Sequence, residues 1–361
     1  MKIAGIFRGF PGLGRVVSGV ELITHFKDHF NADIQVFSYL QGEKYLNQRG
    51  FTLNHSVSEH DFSSIGIIPV SSYGEYIFNQ IADFNPDFVL IDGEPLMVQA
   101  IKLIYPNLPM VSILNPSDVD NPSNQLSSQN FFNFLYSLSD IVIVHGLRII
   151  KNPGLYKNFF SINTIIRSEI FEIQKKRNKK EIFCILGGGT VNVQTDFLES
   201  TLKIADKCIG LAKEFLEYNV TIQCSSVNVL ESITEKLKSQ NITNLQLIST
   251  INKPIEYYGN ASLIITRAGR NSLSELLYLK IPSISFISGC TFRKDEQISN
   301  THYTQNSIIN NLSIDIELPQ FIEYCKSLLN TINHDNCISD FIPGNIEAIE
   351  IILDLYQKRI D

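Results

Sequence analysis

The sequence predicts an α/β protein with two doubly wound parallel sheets, on the basis of three observations. Short apolar runs rich in β-branched residues recur along the 361 residues, and they are continuous rather than alternating, as in strands buried on both faces. Helical patterns lie between several of these runs, which is typical of βαβ units. The basic stretch Gln174–Lys180 then interrupts the pattern, which restarts beyond it. We therefore expect two similar domains that face a central cleft.

In the first half, the apolar runs mark the strands of a Rossmann-like domain. The expected strands are Lys2–Phe7, Asp33–Ser38, Ile65–Val70, Asp87–Ile91, Met110–Leu114, Ile141–His145 and Ile162–Ile166. Helices are expected between them, for example at Val16–Phe30 and Pro95–Tyr105. We place this domain at residues 1–168, followed by a solvated linker over residues 169–180.

The second half repeats the alternation of strand and helix patterns. The expected strands are Glu181–Leu186, Val220–Cys224, Leu245–Ser249, Leu263–Thr266 and Ser283–Ile287, and the expected helices are Thr195–Tyr218, Asn271–Tyr278, Asp295–Asn310 and Gln320–Leu329. We place this second Rossmann-like domain at residues 181–344. A last amphipathic helix in residues 345–361, with its pattern at Asn345–Lys358, is expected to pack back toward the first domain.

Composition excludes several classes of function. A formal net charge of −7 argues against nucleic acid as the main partner, because phosphate backbones bind to basic surfaces, and it limits membrane association to a peripheral one. The six cysteines contain no C-x-x-C pair, so neither a zinc site nor a redox motif is indicated. The sequence shows no signal-peptide pattern and no apolar run of membrane-spanning length, and we therefore expect a cytoplasmic protein.

A glycine cluster after the first strand of the second half is one candidate ligand site. Gly187, Gly188 and Gly189 follow that strand and precede a helix, so their N–H groups can approach an anion closely. A tight turn that binds nothing explains the same three glycines equally well. This cluster therefore predicts a phosphate site only together with other signals.

The segment Thr266–Glu275 is a second and sharper candidate. It begins at the end of an apolar strand, and Gly269 permits a tight turn into a helix. The N–H groups at the helix start, with the side chains of Asn271 and Ser272, can hold a phosphate. Glu275 lies one turn further on the same face, where a carboxylate suits the two hydroxyls of a ribose. A solvated Glu in an early helical turn is the alternative interpretation.

This segment resembles the signature of the MurG-type GT-B glycosyltransferases, in which Arg-Ser-Gly-x-x-Thr/Ser-x-x-Glu is followed by Gly-x-Pro. Lys280-Ile281-Pro282 stands in that last place, with Lys for Gly. The family's acidic-x-Gln-x-x-Asn element matches Asp295–Asn300, and its glycine loop matches Gly187–Gly189. Thr250 and Ile251 stand where the family's loop backbone meets the nucleobase. The resemblance covers the whole second half in the same order.

The resemblance implies a GT-B fold and transfer of a sugar from a nucleotide-diphosphate donor, with UDP as the expected nucleotide. It implies that Glu275 binds the ribose and that Gln297 and Asn300 hold hydroxyls of the donor sugar. Gly269, Arg270, Asn271 and Ser272 are expected to face the donor's diphosphate, and Arg267 is expected among the donor-binding residues. Members of the family need no divalent metal, because helix dipoles and N–H groups stabilise the leaving diphosphate. The acceptor stays open among sugars, natural products and polymer-bound groups.

The first half matches the family more loosely. Gly9–Arg15 resembles the family's acceptor-side loop, but Arg15 stands where the family often has a catalytic His, and Arg cannot accept a proton at neutral pH. A base must then come from another residue at the carboxyl end of a strand. Asp92 is our first candidate and His145 a weaker one, although Asp92 also suits the cap of the following helix. Asn163–Arg167 resembles the family's interdomain crossover without its Gly and Pro.

Other interpretations stay open. Asp118-Val119-Asp120 imitates the metal-binding Asp-x-Asp of GT-A transferases, which keeps Asp118 as an alternative catalytic residue, but the motif is short and flanked by loop-forming Asn and Pro. Hydrolysis or epimerisation of the nucleotide sugar is an alternative activity, although the neutral pair Gln297 and Asn300 disfavours an epimerase. A non-catalytic partner that kept the donor pocket and lost the base is the third class, which Arg15 suggests.

Overall fold

The computed structural model divides the chain into two compact units. Residues Met1–Arg167 together with Pro343–Asp361 form the first unit, and Ser168–Ile342 form the second. The residues that the structure describes are 1–9, 13–53, 68–69, 71–121, 124–150, 156–174, 180–187, 195–224, 226–249, 257–287, 294–305, 307–331 and 341–360.

The first unit is built on a parallel sheet with an apolar core on each face. Its elements are β1 (Lys2–Phe7), α1 (Gly14–Phe30), β2 (Asp33–Phe37), α2 (Gln41–Gln48), α3 (Ser72–Phe84), β3 (Phe88–Asp92), α4 (Pro95–Ile104), β4 (Met110–Leu114), α5 (Pro116–Asp120), α6 (Leu126–Ser137), β5 (Ile141–Gly146) and β6 (Phe159–Asn163). Among the described residues, six strands pair in the order β2-β1-β3-β4-β5-β6. The order reverses between β1 and β3, the point at which doubly wound sheets bind ligands.

The second unit repeats this plan. After a short 3₁₀ helix (Ser168–Glu172) come β7 (Glu181–Ile185), α7 (Thr195–Glu214), β8 (Asn219–Gln223), α8 (Val227–Leu237), β9 (Leu245–Ile248), β10 (Ala261–Arg267), α9 (Arg270–Leu279), β11 (Ser283–Phe286), α10 (Lys294–Tyr303), β12 (Ile309–Leu312) and α11 (Leu318–Thr331). In this part of the described chain, six parallel strands lie in the order β12-β11-β10-β7-β8-β9. Here the order reverses between β7 and β10.

The last helix, α12 (Asn345–Ile360), returns to the first unit. Its Ala348, Ile349 and Ile352 are buried in the core that also contains residues of α1. The N–H of Gly344 donates to the carbonyl of Thr164 at 3.0 Å. The Asn345 amide accepts from the N–H of Ile166 at 3.0 Å and donates to its carbonyl at 2.8 Å. This double contact fixes the start of α12 beside the strand end that leads out of the first unit.

The predicted fold class, two Rossmann-like doubly wound sheets with a returning C-terminal helix, is confirmed. The helix predicted at Asp295–Asn310 is wrong in its second half, because α10 ends at Tyr303 and Ile309–Leu312 form the edge strand β12. The two asparagines of that strand hid it, since edge strands tolerate polar residues. The strand predicted at Ile162–Ile166 begins earlier, at Phe159.

Other sequence predictions fall partly outside the described residues. Of the strand predicted at Ile65–Val70, only Ile68 and Pro69 are described, and they form a short helical turn. Of the basic linker, residues 175–179 lie outside the described part. The loop expected over Asn115–Ser128 contains the short helix α5 and the start of α6.

Candidate functional site

In the second unit, the described donor candidates Gly187, Arg267 and Gly269 lie where the sheet order reverses, at the carboxyl ends of β7 and β10. Gly187 follows β7 with a φ of +100°, a left-handed conformation that an L side chain would strain. Gly188, Gly189, Thr250 and Ile251 lie outside the described residues. The glycine turn that the sequence predicts therefore begins at the expected strand end.

Arg267 is the last residue of β10 and is 6% exposed. Its Nε donates to the carbonyl of Leu186 at 3.0 Å, and its Nη groups donate to the hydroxyls of Ser200, at 3.2 and 3.3 Å, and Thr201. Through these contacts Arg267 links Leu186, the residue before Gly187, to helix α7. They give Arg267 a positioning role beside the glycine turn, and direct contact with a ligand stays a prediction.

Helix α9 begins directly after Gly269, with Gly269 at its N-cap in an extended conformation. A methyl group added to Gly269 would meet no atom of the described residues within 4 Å. A ligand can therefore approach the backbone at the helix N-terminus, where N–H groups and the helix dipole attract anions. Asn271 and Ser272 are half-buried in the first turn, and Arg270 is buried with its Nε 3.0 Å from the Asn271 side-chain oxygen.

Glu275 lies on the same face of α9 as Asn271, one turn further along, and is 1% exposed. Tyr258 donates its hydroxyl to Glu275 Oε2 at 3.2 Å. A buried carboxylate so close to a helix N-terminus is held in place by packing and by this hydrogen bond. The alternative of a solvated Glu is therefore wrong for Glu275.

Gln297 and Asn300 are buried on one face of α10. Asn300 donates its amide to the carbonyl of Ala268 at 3.1 Å, the residue just before Gly269. Asn300 therefore supports the turn into α9, and its predicted contact with a donor sugar stays a prediction, as does that of Gln297.

In the first unit, Arg15 from α1 forms a partly buried ion-pair cluster with the buried Asp92 and the half-buried Asp118. Its Nη1 lies 3.0 Å from Asp92 Oδ1, and its Nη2 lies 2.7 and 2.8 Å from the two oxygens of Asp118. Burial lowers the pKa of Arg15, but Asp118 and then Asp92 raise it well above its ordinary value, so the guanidinium stays charged. Arg15 is therefore engaged by this chain's own carboxylates.

The geometry around Asp92 explains why this cluster is tight. Asp92 ends β3 and is 0% exposed, and Gly93 follows with a φ of +82°. A Cβ at Gly93 would lie 2.5 Å from Cδ of Arg15, so only glycine lets Arg15 pass over this turn. The proposed cap role of Asp92 is not seen, since the N-cap of α4 is Glu94.

His145 and the Asp-x-Asp motif also have structural partners. His145 is buried in β5, and its Nδ1 accepts from the N–H of Ile165 at 3.1 Å. Asp118 accepts from the Asn115 N–H at the start of α5, and Arg148 Nη1 lies 2.6 Å from Asp120 Oδ2. Within the described residues, no group of three or more His, Cys, Asp or Glu side chains is arranged to hold a metal ion.

The sequence reasoning missed a buried pair beside this cluster. Tyr39, just after β2, donates its hydroxyl to Glu94 Oε1 at 2.5 Å, and Glu94 follows β3. Burial raises the pKa of Glu94 to about 7. The pair follows from the strand order, because β2 and β3 both flank β1 and bring their carboxyl ends together.

No helix of the described chain is both long and apolar enough to cross a membrane.

Comparison with known proteins gives a family match for part of the chain. Residues 158–319 match the model of the glycosyltransferase family 28 C-terminal domain. No curated protein sequence matches this chain. Among solved structures, MurG of Acinetobacter baumannii is similar with a TM-score of 0.61 and 13% identity, over 99% of this chain and 100% of that one.

Two further structures show the same fold. The glycosyltransferase SnogD of Streptomyces nogalater has a TM-score of 0.61 and 12% identity, over 99% of each chain. A putative UDP-N-acetylglucosamine 2-epimerase of Listeria monocytogenes has a TM-score of 0.64 and 13% identity, over 100% of this chain and 96% of that one. The family match and the fold support sugar transfer from a nucleotide-sugar donor. This chain therefore has the two-domain fold of these proteins, MurG and SnogD among them, and its residues 158–319 match the glycosyltransferase family 28 C-terminal domain.

Proposed function

We propose that this protein transfers a sugar from a UDP-sugar to an acceptor without a divalent metal. The observation that carries the proposal is the start of α9 in the family-matched segment. There Gly269 leaves its backbone open to a ligand, and the buried Glu275 lies one turn away. A helix N-terminus suits the diphosphate, and a carboxylate one turn further suits the ribose.

The geometry of the aspartates favours a donor site without a metal. Asp118 and Asp120, the alternative metal ligands, are each engaged by an arginine. A cation at this motif would have to displace two guanidinium groups. In the second unit, the N–H groups of α9 and of the glycine turn after β7 are the groups that we assign to the leaving diphosphate.

Titration calorimetry with UDP, with and without EDTA, tests this proposal. We expect binding whose affinity is unchanged by the chelator. A matched titration of Glu275→Gln should show weaker binding, which locates the ligand at α9. Affinity that is lost with EDTA, and restored by Mn²⁺ or Mg²⁺, would favour metal binding by Asp118 and Asp120 and would contradict the metal-independent site.

Epimerisation or hydrolysis of the nucleotide sugar is a second candidate, which the structural likeness to the Listeria putative 2-epimerase favours. The three activities differ in their products, because a reversible epimerase returns a nucleotide sugar, a hydrolase releases UDP and free sugar, and a transferase releases UDP and a glycosylated acceptor. Proton NMR of UDP-N-acetylglucosamine incubated with the protein separates them. Tight UDP binding without any turnover, with sugar, natural-product and polymer acceptors, would point to a non-catalytic partner.

A further inference from the structure

Tyr39 and Glu94 form a buried hydrogen-bonded pair at the carboxyl edge of the first sheet. Tyr39 is 1% exposed and Glu94 is 7% exposed, and their oxygens lie 2.5 Å apart. The bond reaches Oε1 only, and among the described residues no hydrogen bond reaches Oε2. One oxygen of Glu94 is therefore held by Tyr39, while the other carries no hydrogen bond from the described residues.

Glu94 differs from its neighbour Asp92 in what surrounds it. Asp92 is 0% exposed and its Oδ1 lies 3.0 Å from the Arg15 guanidinium, so its carboxylate is already engaged by a cation of this chain. Glu94 has no ion pair within 4.0 Å among the described residues. The hydrogen-bond partner of Glu94 is the neutral Tyr39 hydroxyl, and 7% of Glu94 is exposed. Both features suit a carboxylate that accepts a proton from a substrate.

The electrostatic surroundings of Glu94 are mixed. Burial makes the largest contribution and raises the pKa of Glu94. The hydrogen bond from Tyr39 and the charges of Arg8 and Arg15 lower this pKa, whereas the charge of Asp92 raises it. The resulting pKa is about 7. Burial, with Glu94 beside it, raises the pKa of Tyr39 well above its ordinary value, so the phenol stays protonated and keeps donating. The charged and titratable groups that act on Glu94 from the surrounding elements are Arg8, Arg15, Tyr39, Tyr73, Asp92 and Tyr136.

We propose that Glu94, positioned by Tyr39, takes the proton from the acceptor hydroxyl, and that Asp92 instead holds Arg15 in place. The inference rests on the proposed sugar transfer. The acceptor oxygen forms a bond to the anomeric carbon, the bond from that carbon to the diphosphate breaks, and UDP leaves with the electron pair. The proton released by the hydroxyl goes to Glu94 Oε2. Glu94 is the catalytic residue of this step and Tyr39 is a positioning residue.

The test is the pH dependence of UDP release, measured with the UDP-sugar that most stabilises the protein against heat, and with water as the acceptor. In the wild type we expect the rate to rise with pH and to reach half its maximum near the pKa of Glu94. Glu94→Gln should lower the rate at least about 100-fold and remove this rise. Tyr39→Phe should keep it but move its midpoint to higher pH, because the Tyr39 hydrogen bond lowers the Glu94 pKa. Asp92→Asn should keep the midpoint near that of the wild type.

Carbon-13 NMR of glutamate-labelled protein checks the same group without turnover. We expect one carboxyl resonance that titrates near neutral pH and is missing in Glu94→Gln, with UDP affinity as the control for folding of the variant. A Glu94→Gln variant that keeps both the rate and the pH profile overturns this inference alone, as does an Asp92→Asn variant that loses the profile. A wild type that neither binds nor releases UDP overturns the proposed function, and the role of Glu94 falls with it.

Discussion

The two sheets place their polar residues at the same topological point but fill it in different ways. In the second unit, Gly269, Asn271 and Glu275 come from one turn and one helix start. In the first unit, Arg15 meets Asp92 and Asp118, which are 77 and 103 positions away along the chain. One site is therefore local in sequence and built largely on backbone groups, and the other is assembled from distant charges.

This difference decides what each site depends on. A helix N-terminus supplies N–H groups wherever the helix forms, so side-chain changes at the start of α9 should leave the fold intact and act on the ligand that we propose there. A buried ion-pair cluster depends on each member, because removal of one leaves an uncompensated charge in a dry environment. We therefore expect the loss of Arg15 to affect stability most, and substitutions at the start of α9 to affect binding most.

The largest expected effect comes from Arg15→Met. Two carboxylates would lose their guanidinium, and Asp92 has a side chain that is 1% exposed. The free energy of unfolding should fall by about 3–5 kcal/mol, as measured by urea denaturation. Arg148→Met is the matched control, because its partner Asp120 is 42% exposed, and its effect should stay within about 1 kcal/mol. Equal effects of the two substitutions would contradict a buried cluster.

Glu94→Gln should change stability in a pH-dependent way. The pKa of Glu94 is raised to about 7 in the folded protein, so ionisation disfavours the fold as pH rises from the unfolded value of about 4.3. The penalty is absent below that value and complete above the folded pKa. At pH 8 the variant should therefore be more stable than the wild type by up to about 3 kcal/mol, and near pH 4 by almost nothing. Chemical denaturation measures both, and the exposed Glu231→Gln should show no such trend.

Glu275→Gln should weaken UDP binding more than binding of 2′,3′-dideoxy-UDP. A hydrogen bond from a ribose hydroxyl to a carboxylate is worth about 1.5–3 kcal/mol, so the wild-type preference for UDP should shrink by about that amount. The amide oxygen of Gln can still accept from Tyr258, which keeps the local packing. Calorimetry with the two nucleotides measures the difference, and equal losses would make Glu275 a purely structural residue.

The smallest expected effect separates Asn300 from Gln297. The sequence alone predicts that Ala at either position leaves UDP affinity nearly intact and reduces discrimination among UDP-sugars. The structure distinguishes them, because Asn300 supports the Ala268 carbonyl at the turn into α9. Asn300→Ala should cost UDP binding about 0.5–1.5 kcal/mol and Gln297→Ala should not. Identical UDP affinities in the two variants would show that this hydrogen bond does not shape the donor site.

The same contrast explains how far sequence reasoning reached. The fold class and the start of α9 followed from local patterns, since hydrophobic period and glycine placement are properties of neighbouring residues. The roles of Arg15 and Asp92 did not, because their contact depends on the register of β1 and β3 and on the conformation of Gly93. Glu94, which we propose as the proton acceptor, belongs to no sequence motif. Only the adjacency of β2, β1 and β3 brings Tyr39 into contact with it.

Arg267 illustrates a subtler limit. Its place in the signature predicts a donor-binding residue, yet in the structure its guanidinium reaches back to Leu186 and across to α7. A sequence shows which residue stands beside a glycine turn but not which way a long side chain extends. The donor-contact residues of the family resemblance accordingly remain predictions until a nucleotide is bound.

The return of α12 to the first unit has a consequence for how the protein is made. The helix is translated only after the 175 residues from Ser168 to Ile342, which at about 5–20 residues per second takes on the order of 10–35 seconds. Throughout that time the apolar surface around Val16 and Val20 lacks the side chains of Ala348 and Ile352 that share its core. The first unit therefore emerges from the ribosome with part of its apolar surface uncovered, and that surface is buried only when Ala348 and Ile352 have been made.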